Sequence, residues 1–74
     1  MTHAAHHPTP VAVLGAGAWG TVIAWLLANN GHDVRLWSRR FEQATAMQAE
    51  RVNREYLPDL RLPDNLSVTS DLRA

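Results

Sequence analysis

Residues 11–21, Val-Ala-Val-Leu-Gly-Ala-Gly-Ala-Trp-Gly-Thr, constrain this chain more than any other stretch: a short apolar run breaks into a glycine-rich turn and then into a helical pattern. Gly15, Gly17 and Gly20 fit the spacing G-x-G-x-x-G. Small-residue turns of that form also arise by chance, so the flanks decide what the motif means. Val11 to Leu14 shows no polar alternation, which predicts a strand buried on both faces of a parallel sheet. From Ala18 a helical pattern runs to Asn29 and stops at Asn30-Gly31, where Gly31 supplies a left-handed cap. Strand, turn and helix thus follow in the order the fingerprint requires.

The helix has no obvious solvent face, because Val22 to Ala28 contains no polar residue. Helical spacing puts Gly20, Ile23, Ala24 and Leu27 on one stripe toward the sheet and leaves Val22, Trp25 and Leu26 for a partner that this chain has little sequence to supply. Asp33 to Trp37 alternates after the Gly31-His32 turn and predicts the second strand. A second helix is expected from about Phe41 to Val52, capped by Ser38, with Ala44 and Met47 on its inner side. Pro58 and Pro63 make residues 57–65 an extended, irregular connection. Residues 66–69 suit a short third strand, and Ser70 with Asp71 reads as the start of another helix. The fold class is therefore α/β, an incomplete Rossmann-type doubly wound parallel sheet of βαβα plus a short third strand. Residues 10–74 form part of a dinucleotide-binding domain, and residues 1–9, with His3, His6, His7 and Pro8, form a flexible leader rather than a metal site, since no Cys, Asp or Glu stands nearby to complete a ligand shell.

At 74 residues the chain holds one small domain at most, and such a domain buries only about 60% of the surface its unfolded chain exposes. Its composition, 46% hydrophobic and 19% charged, is that of a globular protein rather than a disordered one. Seven basic residues balance seven acidic ones, so no overall field favours nucleic acid or an anionic membrane. The absence of cysteine excludes disulfides and thiolate chemistry within the chain and is compatible with a reducing cytoplasm. No apolar stretch is long enough to span a bilayer, and the N-terminus lacks the order of a signal peptide.

In a strand-turn-helix of this kind the first glycine makes the tight turn, the second admits a pyrophosphate, and the third lets the helix approach the strand. Gly15, Gly17 and Gly20 take those roles, and the helix end attracts an anion without needing a basic side chain. At the end of the second strand, an Asp or Glu would bind the adenosine ribose of NAD. Ser38 stands there instead, followed by Arg39 and Arg40, while Asp33 lies at the strand's opposite end. Guanidinium groups match a 2'-phosphate in charge and geometry, which favours NADP, or use of both NADP and NAD, with Arg39 the better placed. The competing reading is that both arginines only solvate a loop.

Taken together, Gly-Ala-Gly-Ala-Trp-Gly-Thr at 15–21, Asn30 to Val34, Leu36-Trp37-Ser38-Arg39-Arg40, Asn53 with Tyr56-Leu57-Pro58, and Leu62-Pro63 through Leu72 closely resemble the N-terminus of bacterial NAD(P)-dependent glycerol-3-phosphate dehydrogenases. The resemblance implies cofactor contacts from Trp19, Arg39 and Arg40 beside Gly15, Gly17, Ala18 and Gly20, with Ser38 at the strand end. Tyr56 is implied as a further contact, or else as an aromatic anchoring its loop. It also implies a cytoplasmic enzyme that interconverts dihydroxyacetone phosphate and sn-glycerol 3-phosphate with NAD(P)H, supplies glycerophospholipid synthesis, and in full length allows a homodimer.

Asp59 departs from the family's usual Gly after Leu-Pro, and Val22-Ile23 from the commoner Ala-Leu; neither touches the phosphate turn. The family continues well beyond this length, through its catalytic lysine and helical substrate domain. No residue among the 74 is therefore expected to be catalytic or to bind metal, and the chain alone is expected to be inactive. A free-standing nucleotide-binding or interaction module without catalysis is the alternative.

Overall fold

The computed structural model describes residues 10–72. The expected leader at 1–9 and the end of the expected last helix, at 73–74, lie outside the described residues. Strand β1 (Val11–Leu14) leads through the glycine turn into helix α1 (Ala18–Asn29), then strand β2 (Val34–Trp37) and helix α2 (Phe41–Glu50). Strands β3 (Val52–Asn53), β4 (Leu57–Arg61) and β5 (Leu66–Thr69) complete the order. β1, β2 and β5 form a parallel sheet with β2 in the middle, in the register Val11 to Val34 and Val34 to Leu66, while β3 and β4 make a separate antiparallel pair.

The parallel sheet and both helices follow the local patterns closely, with β2 beginning at Val34 rather than Asp33 and α2 ending at Glu50 rather than near Val52. α1 ends where expected, with Asn30 as cap and Gly31 at a φ of 94°, a conformation that costs glycine little. α2 stops at Glu50 because Arg51 turns left-handed, at a φ of 63°. The Arg51 guanidinium then holds the loop before β5, donating to the carbonyls of Pro63, at 2.6 Å, and Leu66. Asn65 does the same from the loop side, donating to the carbonyls of Ala28 and His32 at 2.7 and 2.8 Å.

The core lies on one face of the sheet, where Val34 and Leu36 of β2 and Leu66 and Val68 of β5 meet Ala24 and Ala28 of α1 and Ala44 and Met47 of α2. A chain that steps in one direction across a parallel sheet makes right-handed crossovers, and these place consecutive helices on the same side. This corrects the expectation that β1 is buried on both faces. Val11 and Val13 are half-buried, whereas Ala12 and Leu14 are exposed on the other side, Leu14 by 68%. Arg35 and Ser67 share that open face.

Four further expectations change. The inward stripe of α1 is Thr21, Ala24 and Ala28 with Leu27 partly buried, and Ile23 is 43% exposed. Small residues face the sheet because the helix lies very close to it at Gly20. Residues 57–61 are not irregular but form β4, and they supply the partner that Trp25 was expected to lack: its indole N–H donates to the Arg61 carbonyl at 3.0 Å. A two-residue strand with an irregular register and Pro58 in its mate leaves no alternation to read. Ser38 is not the cap residue of α2. Arg40 is, in extended conformation and without a side-chain bond to the helix, and Ser38 lies two residues earlier. Residues 70–72 contain no helix among the described residues.

A one-sided core makes a testable prediction for this chain. Leu36→Ala, at a fully buried position, is expected to lower the unfolding free energy by about 2–5 kcal/mol. Leu14→Ala, on the open face, is expected to stay within about 0.5 kcal/mol. Urea denaturation of the three proteins measures both.

Candidate functional site

The glycine turn stands at the C-terminal ends of β1 and β2, where the Gly15 N–H donates to the Trp37 carbonyl at 2.8 Å. Gly15 has a φ of 105°, so the tight turn needs a residue without a side-chain penalty there. A Cβ on Gly20 would lie 1.9 Å from the Gly15 carbonyl oxygen, so only glycine lets the helix sit this close. A Cβ on Gly17 would meet nothing within 4 Å, and the backbone at that position is open to a cleft. Gly17 caps α1 without a side-chain hydrogen bond, and no acidic residue lies in the first turn. The positive end of the helix therefore meets the cleft with its leading N–H groups not taken by side chains.

A cleft of about 240 Å³ opens beside this turn, lined by Gly15, Ala16, Gly17, Trp37, Ser38, Arg39, Arg40, Gln43 and Tyr56. It brings together residues predicted from the glycine motif, from the end of β2 and from the Tyr56 segment. Ala18 and Trp19 begin α1 and are exposed, Trp19 by 79%, but they stand beside the cleft rather than lining it. Gly20 acts from below, through its contact with Gly15. Asp33 precedes β2 at the far end of the sheet, as its position in the chain implies.

The loop is held by a chain of hydrogen bonds of which the sequence motifs gave no sign. The Ala16 carbonyl accepts from the Asn53 side chain at 2.9 Å and from Gln43 at 3.2 Å. Asn53 also donates to the Thr21 hydroxyl at 2.9 Å, and Ser38 donates to Gln43 Oε1 at 2.6 Å. Ser38 accepts the Arg40 N–H as well, so its hydroxyl is engaged within its own loop although the residue borders the cleft. Thr21, Ser38 and Asn53 are buried, and only Asn53 Oδ1 among their side-chain atoms has no partner. Polar residues at these spacings carry no periodic signal; Asn53 stood out only through the resemblance of its segment.

The two arginines differ. Arg40 makes a two-pronged ion pair with Glu55, Nη1 to Oε1 at 2.7 Å and Nη2 to Oε2 at 2.8 Å. The hydrogen bonds of this pair hold the Glu55 carboxyl below the usual carboxylate range and raise Arg40 above its ordinary value. The Arg39 side chain is exposed and has no hydrogen-bond or ion-pair partner among the described residues. A bare helix end, a glycine backbone open to approach and a free guanidinium at the rim form a cradle that fits the phosphates of a nucleotide. No group of three or more potential metal ligands occurs among the described residues.

Removing the Asn53 amide would take the donor from the buried Thr21 hydroxyl and leave the Ala16 carbonyl with only the longer bond from Gln43. Asn53→Ala is expected to cost about 2–3 kcal/mol, with Gln43→Ala costing about 1 kcal/mol because Asn53 still serves Ala16. Thermal and urea unfolding of both variants checks the ranking.

Comparisons with known proteins identify the family. The family described as the N-terminus of NAD-dependent glycerol-3-phosphate dehydrogenase matches residues 10–74. A glycerol-3-phosphate dehydrogenase [NAD(P)+] of Halorhodospira halophila is 61% identical over 62 residues, covering 84% of this chain and 19% of the relative. The crystal structure of glycerol-3-phosphate dehydrogenase from Coxiella burnetii superposes with a TM-score of 0.86 at 47% identity, over 89% of this chain and 20% of that one. The glycerol-3-phosphate dehydrogenase of Plasmodium falciparum gives a TM-score of 0.73 at 31% identity, over 88% and 21%. This chain thus spans about a fifth of the length of the relatives it matches. Its α/β fold, its glycine turn and these likenesses agree: the chain belongs to the NAD-dependent glycerol-3-phosphate dehydrogenase family and corresponds to its N-terminal part.

Proposed function

We propose that residues 10–74 are the first part of a dinucleotide-binding domain and that the cleft beside the glycine turn takes NADP or NAD. The single observation that carries this reading is the bare N-terminus of α1 facing the same cleft as Arg39. The pyrophosphate would meet the backbone at Gly15, Gly17 and Ala18, with Trp19 and Tyr56 flanking it and Gly20 holding the helix in place. The adenosine end would lie at Ser38, Arg39 and Arg40. With no carboxylate at the end of β2, a 2'-phosphate meets a guanidinium rather than a repelling charge.

In the full-length protein this domain would serve the interconversion of dihydroxyacetone phosphate and sn-glycerol 3-phosphate, a cytoplasmic step toward glycerophospholipids. The nicotinamide supplies or accepts the hydride when bound. The residues of this chain bind and orient the dinucleotide, and none of them is assigned a part in proton transfer. Substrate would be held by the remainder of the protein, which also sets whether it works as a dimer. No helix among the described residues is long and apolar enough to cross a membrane.

Titration with NADPH, followed by tryptophan fluorescence, is expected to give saturable quenching at micromolar concentration through Trp19. Arg39→Gln is expected to weaken NADPH roughly tenfold, the worth of a charge-assisted contact, while changing NADH by less than about twofold. Equal weakening of the two ligands would remove Arg39 from the adenosine end.

A further inference from the structure

We propose that Glu55 sets the cofactor preference of this cleft: it holds Arg40 in a two-pronged ion pair, withdraws that guanidinium from a 2'-phosphate, and leaves Arg39 as the cation that reads it. The inference rests on the dinucleotide reading above and deepens it. Arg39 and Arg40 are adjacent and both line the cleft, so the sequence offers two cations, of which position alone favours Arg39. The structure makes them unequal. Both terminal nitrogens of Arg40 are on the Glu55 carboxylate, at 2.7 and 2.8 Å, and this fork is the same one that a phosphate would use.

The charge balance at the rim follows directly. Arg39 and Arg40 alone would present two positive charges to an incoming dianion, and Glu55 reduces the sum to one. The other charged residue of the same turn, Arg54, is occupied elsewhere, by Glu50 at 2.6 Å. Glu55 also follows Asn53 by two residues, and Asn53 is fixed to the Ala16 carbonyl. The turn that carries the carboxylate is therefore tied to the glycine loop, which keeps Glu55 beside the cleft.

The pair contributes little to holding the fold together. The Arg40 and Glu55 side chains remain 52% and 45% exposed, and ion pairs with that much solvent around them stabilise a protein only weakly. Its larger consequence is for a ligand. A carboxylate already seated on Arg40 must be displaced before a 2'-phosphate can use that arginine, whereas a dinucleotide with a plain ribose never competes for it. Glu55 thus narrows the gap between phosphorylated and plain dinucleotides without excluding either.

The test measures dissociation constants for NADPH and NADH on each protein and compares their ratio, which cancels any change in the folded fraction. Glu55→Gln is expected to shift the ratio about fivefold toward NADPH, the upper range for an exposed pair, with NADH itself nearly unchanged. Arg40→Gln combined with Glu55→Gln is expected to return the ratio to within about twofold of the unsubstituted protein, because no arginine is then released. An unchanged ratio in Glu55→Gln overturns the proposal. A shift that persists in the double variant also overturns it, since the carboxylate would then act by direct repulsion and not through Arg40. Failure of the unsubstituted chain to bind either dinucleotide would instead overturn the dinucleotide reading itself.

Discussion

Helix α1 meets strand β1 at a contact that admits no side chain. Gly20 lies so close to the Gly15 carbonyl that a Cβ would come within 1.9 Å of its oxygen. Because the contact is backbone against backbone, it fixes where the helix starts, how it is rotated and which of its residues face the sheet. Thr21, Ala24 and Ala28 are buried beneath it, and bulkier residues such as Ile23 and Leu26 turn outward. The opening of the helix is thereby left over the C-terminal ends of β1 and β2, where its unpaired N–H groups can meet an anion. A phosphate bound in this cleft would therefore owe its seat to close packing rather than to any basic side chain in the turn.

Close approach brings polar backbone into the interior, and the side chains of Gln43 and Asn53 answer that demand. Their amides converge on the Ala16 carbonyl from α2 and β3, two elements that are otherwise remote from the glycine turn. Asn53 reaches Thr21 as well, which explains why a hydroxyl occupies the inner face of an otherwise apolar helix. Ser38 extends the same chain to the end of β2. Buried networks of this kind specify a single arrangement, because losing one member leaves its neighbours unsatisfied. The short β3–β4 hairpin thus belongs to the site: it delivers Asn53 inside, Glu55 at the rim and Tyr56 into the cleft.

What was legible in the sequence was what local pattern encodes. The glycine spacing, the apolar run of α1 with its glycine stop and the residues of β5 each announce themselves within a dozen residues. The two arginines were recognisable by their chemistry at the end of β2. Burial of β1 was not, because it depends on which side the crossovers place the helices and on the strand's lying at the sheet edge. β4 was hidden by Pro58 and by a partner of two residues, and Trp25 was therefore left without its neighbour. The pairings of Asn53 with Ala16 and Arg40 with Glu55 span 37 and 15 residues, and no periodicity relates such positions.

The two faces of the sheet divide the molecule's tasks. On the covered face, α1, α2 and the hairpin hold the glycine turn and carry the rim arginines, and β5 steadies the cleft end of β2, where the Ser38 N–H donates to the Thr69 carbonyl at 2.9 Å and the Trp37 indole N–H to the Ser70 carbonyl at 3.0 Å. On the open face, Ala12, Leu14 and Arg35 shape none of the cradle. A doubly wound sheet covers its second face with helices that follow later in the chain, and this chain spans a fifth of its relatives' length. The geometry of the cradle is then set on the covered face, by the first two β-α units with the hairpin and β5, and residues of the open face take no part in the turn. That separation is why a glycine spacing and two arginines suffice to mark the cleft, while the stability of the sheet depends on residues far from it.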